Sequence, residues 1–88
     1  MRFSEVKEGQ FIQEGRGMKD TFLYYVFRKK EDHVECRYIF WGKVKTTYLR
    51  KAEFRGKRFN PATKGPYLNS HIKKIVTAEL LYEENGNN

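Results

Sequence analysis

The 88-residue sequence has one cysteine, two prolines and no apolar run longer than the six residues 22–27. A membrane-spanning helix needs about 20 apolar residues, so the sequence predicts no such helix. The first residues lack the apolar segment of a secretory signal. The single cysteine, Cys36, cannot form a disulfide within the chain, which is typical of proteins from a reducing compartment. Together these absences predict a cytoplasmic protein.

Metal-binding and catalytic patterns are scarce as well. His33 and Cys36 have a His-x-x-Cys spacing, but the only other histidine is His71, and such scattered side chains do not make a tetrahedral zinc site. The sequence contains no P-loop, no nucleophile elbow and no His-Glu-x-x-His motif. We therefore expect no metal, no cofactor and no enzymatic activity, and a metal-free nuclease that uses Lys, Arg and Tyr is the catalytic alternative.

Acidic residues are almost missing from the middle of the chain. Residues 36–74 contain eleven Lys and Arg against one acid, Glu53, whereas residues 75–88 carry three acids and no base. The net charge of the whole chain is +7. A positive segment of this kind favours a polyanion or an acidic protein surface as partner. A solvated face that keeps the protein soluble is the plain alternative.

Aromatic and β-branched residues are abundant, and they follow the periodicity of strands. Aromatic residues make up 16% of the chain. Alternation of apolar and polar side chains predicts strands at 9–14, 21–30, 34–41 and 44–54. A hairpin turn is expected at Gly42 and Lys43, because glycine adopts the positive φ that tight hairpins need. The last three of these strands would form an antiparallel meander.

The last part of the chain fits two structures. As a strand, residues 71–84 place Ile72, Val76 and Ala78 on one face, and the β-branched run 75–77 favours this interpretation. As a helix, the same residues present an apolar stripe that includes Ile72, Ile75 and Val76. We expect the strand, because basic residues near the start and acids near the end oppose the dipole of a helix. Residues 55–70, which contain both prolines, are predicted to form a long loop.

These elements predict one mainly β domain over residues 1–84 and a disordered tail over 85–88. With 71–84 as the fifth strand, the sheet would close into a small antiparallel five-stranded barrel of the SH3-like or OB-like type, because closure removes exposed sheet edges. With 71–84 as a helix, the alternative is an α+β fold in which an antiparallel meander carries one C-terminal helix.

Cations and aromatic rings are interleaved in the positive segment, and this combination is typical of nucleic-acid binding. Cations neutralise phosphates, and each base stacked on a ring contributes about 1–3 kcal/mol. The predicted binding residues are Arg37, Trp41, Lys43, Lys45, Arg50, Lys51, Arg55, Lys57, Arg58, Phe59, Lys64 and Tyr67. Strand parity places Arg37 and Trp41 on one exposed face, and we expect Lys43 and Lys45 to point to the same side. Because no helix-turn-helix or basic helix is evident, single-stranded DNA or RNA is favoured over a duplex.

A small protein-binding regulator or inhibitor is the other interpretation of these residues. Arg, Tyr and Trp are enriched at the hot spots of protein interfaces, so the basic face would dock on an acidic partner surface. A phage-encoded inhibitor of a host enzyme would have this size and composition. The two interpretations differ in their expected salt dependence, because phosphate contacts weaken steeply as salt rises.

Overall fold

In the computed structural model, which describes residues 1–15, 22–62, 70 and 72–78, the chain forms one antiparallel sheet and a C-terminal helix. The strands are β1 (Phe11–Glu14), β2 (Phe22–Lys29), β3 (His33–Phe40), β4 (Lys43–Arg50) and β5 (Phe59–Pro61). Short 3-10 helices precede β1 at Phe3–Glu5 and follow β4 at Lys51–Glu53. The described residues of the helix, α1, are 70 and 72–78.

The sheet has the strand order β4-β3-β2-β1-β5, and every neighbouring pair is antiparallel. β3 and β4 pair without interruption from His33 opposite Arg50 to Phe40 opposite Lys43. The register between β2 and β3 shifts after Val26, which makes Phe27 the extra residue of a β-bulge. The three longer strands therefore form the predicted meander.

The hydrophobic core lies on one face of this sheet and contains side chains from all five strands. Its buried members are Phe3, Val6, Ile12, Tyr24, Val26, Val34, Cys36, Leu49, Phe54 and Phe59. The rings of Phe54 and Phe59 lie 4.6 Å apart, and the ring of Phe3 lies 5.6 Å from that of Phe54. The segments around the two 3-10 helices thus cover the core face of the sheet.

Helix α1 packs near the start of β4. Ile75 is only 1% exposed, yet it does not belong to the core cluster. Lys73 and Thr77 of the helix line a pocket together with Val44 of β4. Val44 lies opposite Ile39 of β3, and both residues point away from the core because side chains alternate along a strand. The helix therefore covers part of the face opposite the core.

The mainly β prediction with an antiparallel meander is confirmed, but closure into a barrel is not observed. β4 and β5 are the two ends of the strand order and do not pair with each other in the described part of the chain. The sheet is therefore open, and the α+β alternative, a meander with one C-terminal helix, fits the structure. None of the helical segments that the structure describes is long and apolar enough to span a membrane.

The prediction of a strand over 71–84 is wrong for residues 72–78, which are helical. Burial of Ile75 outweighs the strand propensity of the β-branched run, since tertiary packing overrides intrinsic preference. The fifth strand is instead Phe59–Pro61, inside the predicted loop 55–70, and the predicted strand 44–54 ends at Arg50. The tail 85–88 lies outside the described residues.

Substituting Phe59 tests the position of this β5 residue in the core. The side chain is fully buried, so Phe59→Ala should lower the free energy of unfolding by about 3–5 kcal/mol in urea titrations. Phe40→Ala is the matched control, because Phe40 is 42% exposed and should lose no more than about half as much. Equally small losses in both variants would place Phe59 outside the core.

Candidate nucleic-acid interface

Trp41 lies at the tip of the β3–β4 hairpin with its side chain 88% exposed. Phe40 and Lys43 are the last residues that pair, so Trp41 and Gly42 form the turn, one residue earlier than predicted. Their φ angles of 52° and 76° are both positive, as in a type I′ turn. A non-glycine residue in this conformation costs about 1–2 kcal/mol. Because the exposed ring gains nothing from burial, this cost points to a contact residue.

A row of aromatic rings leads from Trp41 onto the core face of the sheet. The ring centroids are 6.1 Å apart for Trp41 and Phe40, 6.5 Å for Phe40 and Tyr38, 5.6 Å for Tyr38 and Tyr24, and 6.4 Å for Tyr24 and Phe22. We call these five residues the aromatic row. Tyr24 in its middle is buried, whereas Phe22 at its far end is 46% exposed. The row is therefore anchored in the core and reaches solvent at both ends.

Lys43 and Lys45 accompany the exposed end of the aromatic row. The register pairs Lys43 with Phe40 and Lys45 with Tyr38, and directly opposite residues of an antiparallel pair share a face. Both lysines are exposed, and Lys45 Nζ lies 5.7 Å from the centroid of the Phe40 ring. Two cations and two exposed rings thus meet at one end of the hairpin.

A second group of cations lies in the turn before β5. Arg55, Lys57 and Arg58 are exposed around Gly56, whose φ of 56° lies in the left-handed region. The Arg58 guanidinium donates from Nε to Glu14 Oε2 at 2.7 Å, and this hydrogen bond raises the pKa of Arg58. The structure shows no ion pair for Arg55 or Lys57 within its described residues. We call residues 55–58 the basic turn, and Arg55 and Lys57 are its available cations.

Glu14 connects the basic turn to the aromatic row. The Tyr24 hydroxyl donates to Glu14 Oε1 at 3.1 Å, while Glu14 Oε2 accepts from Arg58. Burial, followed by the neighbouring Glu14 carboxylate, raises the pKa of Tyr24 far above its usual range. The hydroxyl therefore remains protonated and keeps donating. A chain of side-chain contacts thus runs from Trp41 through the aromatic row to the basic turn.

Arg37 is not exposed beside Trp41, and that prediction is wrong. Arg37 is 5% exposed, and its guanidinium carbon lies 4.0 Å from the centroid of the Phe27 ring. The bulge at Phe27 and the packing on the face opposite the core explain this burial, because a stacked guanidinium is more easily desolvated than an ammonium. Lys43 and Lys45 lie on the other face of the sheet, so Arg37 is not part of this interface.

The other predicted binding residues lie in different parts of the structure or outside its described residues. Phe59 belongs to the core with no exposed surface, contrary to the prediction, because its ring fills the space beside Phe54. Arg50 and Lys51 lie at the end of β4 farthest from Trp41. Lys64 and Tyr67 lie outside the described residues.

Phe22 and Phe40 are exposed rings that the sequence pattern does not reveal. The alternation pattern places Phe40 with the core, and the core face is indeed where it points. It is exposed because it lies at the end of its strand, beyond the side chains that cover the middle of the sheet. The sequence does not show which strand residues lie beyond the side chains that cover the middle of the sheet.

In the described segments, no group of three His, Cys, Asp or Glu side chains is positioned to hold a metal ion.

Cys36 is a buried free thiol. Burial, with a smaller effect from the charge of Glu35, raises the pKa of Cys36 to about 12. A thiol this far from its thiolate form is a poor nucleophile, so Cys36 is a core residue.

The thiol chemistry of Cys36 can be measured directly. Because the raised pKa and burial both suppress the thiolate, an aromatic disulfide reagent at pH near 8 should react at least about 100-fold more slowly with the native protein than with the urea-unfolded chain. The unfolded chain is its own control. Equal rates in both states would show that the thiol is exposed in the native protein.

Comparisons with protein-family models, curated protein sequences and solved structures find no match for this chain. The candidate site is therefore described from the chain's own residues, namely the aromatic row, Lys43, Lys45 and the basic turn.

Proposed function

We propose that this protein binds single-stranded nucleic acid, with bases stacking on Trp41 and Phe40 and with phosphates contacting Lys43 and Lys45. The observation that carries the proposal is the position of Trp41, which is 88% exposed at a hairpin tip with φ of 52°. This ring contributes little to stability by burial. A base stacked on it would contribute about 1–3 kcal/mol to binding.

A single strand suits this surface better than a duplex. In a duplex the flat faces of the bases are already stacked on one another, whereas an unpaired strand can present them to aromatic side chains. Stacking tolerates any base, because every base has a π-face. We therefore expect weak sequence preference and steep salt dependence.

The basic turn extends the same interface. Glu14 links it to Tyr24 in the middle of the aromatic row, and Arg55 and Lys57 present their charges to solvent. A strand that stacks at Trp41 would meet these cations if it followed the row toward Phe22. Two separated groups of phosphate contacts would define the path of the nucleic-acid strand across the sheet.

A protein-binding regulator or inhibitor is the second candidate, because the surface also exposes apolar rings. Phe22, Phe40 and Trp41 are all more than 40% exposed, and exposed aromatic clusters with flanking cations are also typical of interface hot spots. The partner would then be an acidic protein surface. We place the protein in the cytoplasm, where a single buried cysteine is common.

Fluorescence of Trp41, the only tryptophan, tests the proposal. Titration with an oligothymidylate of about 12 nucleotides should quench Trp41 to saturation. The affinity should fall about tenfold or more between roughly 50 and 200 mM salt, because released counterions drive phosphate contacts. If neither single strands nor duplexes bind at the lower salt, the proposal is wrong, and the protein-binding alternative is tested next.

Trp41→Asn should separate stability from binding. An Asn-Gly pair is the preferred sequence of a type I′ turn, so the variant should gain about 1 kcal/mol in free energy of unfolding. Its affinity for a labelled oligothymidylate, measured by anisotropy, should fall by about 1–3 kcal/mol. Trp41→Phe is the control that keeps a ring and most of the affinity. Unchanged affinity in Trp41→Asn would remove Trp41 from the interface.

The double variant Lys43→Gln/Lys45→Gln tests the phosphate contacts. Affinity should fall similarly for all sequences, and the slope of log affinity against log salt should flatten by about 1.4, since each of the two contacts contributes about 0.7. Lys7→Gln/Lys30→Gln is the matched control, because it removes the same charge from exposed positions elsewhere. Equal losses in both double variants would indicate attraction by net charge alone.

A further inference from the structure

A second polar site lies at the end of the β3–β4 pair opposite Trp41. His33 and Arg50 are directly opposite in the register, and parity places both on the face away from the core. The ring of Tyr48 meets the His33 ring edge to face, with centroids 5.9 Å apart. A surface pocket is lined by Asp32, His33, Tyr48, Arg50, Lys51 and Ala52.

Asp32 orients the His33 imidazole. His33 Nδ1 lies 2.7 Å from Asp32 Oδ1, and a carboxylate can only accept, so the hydrogen is on Nδ1. Nε2 is the other ring nitrogen, and it donates a hydrogen bond to an anion only when the imidazole is protonated. The hydrogen bond from His33, with smaller effects from the charges of His33 and Arg50, holds the pKa of Asp32 below its ordinary value. Asp32 is therefore ionised in the folded protein near neutral pH.

Backbone hydrogen bonds hold the walls of this pocket in place. The Lys51 N–H donates to the Asp32 carbonyl at 2.7 Å, and the Lys30 N–H donates to the His33 carbonyl at 2.8 Å. The Arg50 N–H donates to Glu53 Oε2 at 2.7 Å. The turn before β3 is thus tied to the end of β4. A site that is ordered before binding spends less free energy on ordering its groups.

Among the described residues, Arg50 and Lys51 line the pocket with one acid, Asp32, and Glu53 lies beside it, where it accepts from the Arg50 N–H. Arg50 is exposed and makes no ion pair among the described residues. Lys51 adds positive potential, although its ammonium lies 6.0 Å from the Phe3 ring, away from His33. Asp32 is bound to His33, and Glu35, which lies opposite Tyr48, is the next acid along this face. Protonation of His33 would raise the positive charge further.

We propose that this pocket binds a phosphate group with two negative charges, held by the guanidinium of Arg50, Nε2 of His33 and the hydroxyl of Tyr48. A guanidinium fork matches two phosphate oxygens at once, and an imidazolium and a phenol supply single donors to the others. The ligand chemistry is a phosphate monoester, whether on a free nucleotide or at the end of a nucleic-acid strand.

This site is independent of the surface around Trp41. Seven residue steps along β4 separate Arg50 from Lys43, a distance of roughly 23 Å, and the two sites occupy opposite faces of the sheet. A protein that fails to bind single strands through Trp41 would still bind phosphate here. The two proposals are therefore tested by separate signals.

Inorganic phosphate is the first probe, and the ring C–H resonances of His33 in NMR spectra are the readout, assigned with His33→Gln. We expect a saturable shift of these resonances and about tenfold weaker binding in Arg50→Gln, which corresponds to one charged donor lost. Lys74→Gln is the control for removal of one distant charge, because Lys74 lies beside Gly42 and Val44 at the other end of β4, and this variant should bind as the wild type does. Absence of a saturable shift, or equal weakening in both variants, would overturn the proposal.

Sulfate isolates the contribution of the imidazole. The charge of sulfate stays at −2 between about pH 5 and 8, whereas an imidazole changes its charge in this range. We expect tighter sulfate binding at about pH 5.5 than at about pH 8. The charged groups around His33 are Asp32, Arg50 and Lys51 of the pocket, Glu35 on the same face, and Glu53 beside Arg50. The pH effect should disappear in His33→Gln when binding is followed by calorimetry. An undiminished pH effect in that variant would exclude His33 as a ligand.

Competition against inorganic phosphate distinguishes the two sources of the phosphate group. A 5′-phosphorylated oligonucleotide that displaces phosphate when its 5′-hydroxyl counterpart does not would identify a strand end as the ligand. Displacement by a mononucleotide alone would identify a free nucleotide. If neither displaces bound phosphate, the site does not take phosphate monoesters and the proposal is wrong.

Discussion

The unbroken register between β3 and β4 determines the rest of this structure. Eight consecutive pairs run from His33 opposite Arg50 to Phe40 opposite Lys43. Side chains alternate between the two faces, so a slip of one residue would move every one of them to the other side. This single pairing puts Val34 and Leu49 into the core and sends Lys43 to the aromatic row. It also brings His33 and Arg50 together on the opposite face.

The aromatic residues of this chain serve the core and the surface at once. Tyr24 is buried and touches both Phe59 of the core and Phe22 of the row. The exposed rings at the ends of the row are therefore in contact with packed side chains. A small domain that needs large rings for its core thus also presents rings from the same set of residues at its surface.

The sequence was sufficient for the meander, because each of its three strands is long enough to show alternation. It was insufficient for β5, where Phe59 is the only buried side chain in three residues and leaves no pattern. Around Ile75 the local propensity favours a strand and the packing favours a helix, and the helix forms.

The candidate site was predicted in part, since Trp41 and Lys43 are exposed neighbours. Burial of Arg37 depends on Phe27 and its bulge, and no single-strand pattern reveals a contact between strands.

β4 is an edge of the sheet, and in the described part of the chain it pairs only with β3. An unpaired edge is a template on which another strand can assemble, and natural proteins protect such edges with lysine and arginine. Lys43, Lys45 and Arg50 provide that protection here, since two copies of this edge repel each other. A polyanion bound to the lysines would cancel the repulsion. Under the proposed function, binding of a polyanion would therefore favour edge-to-edge pairing between two copies of β4.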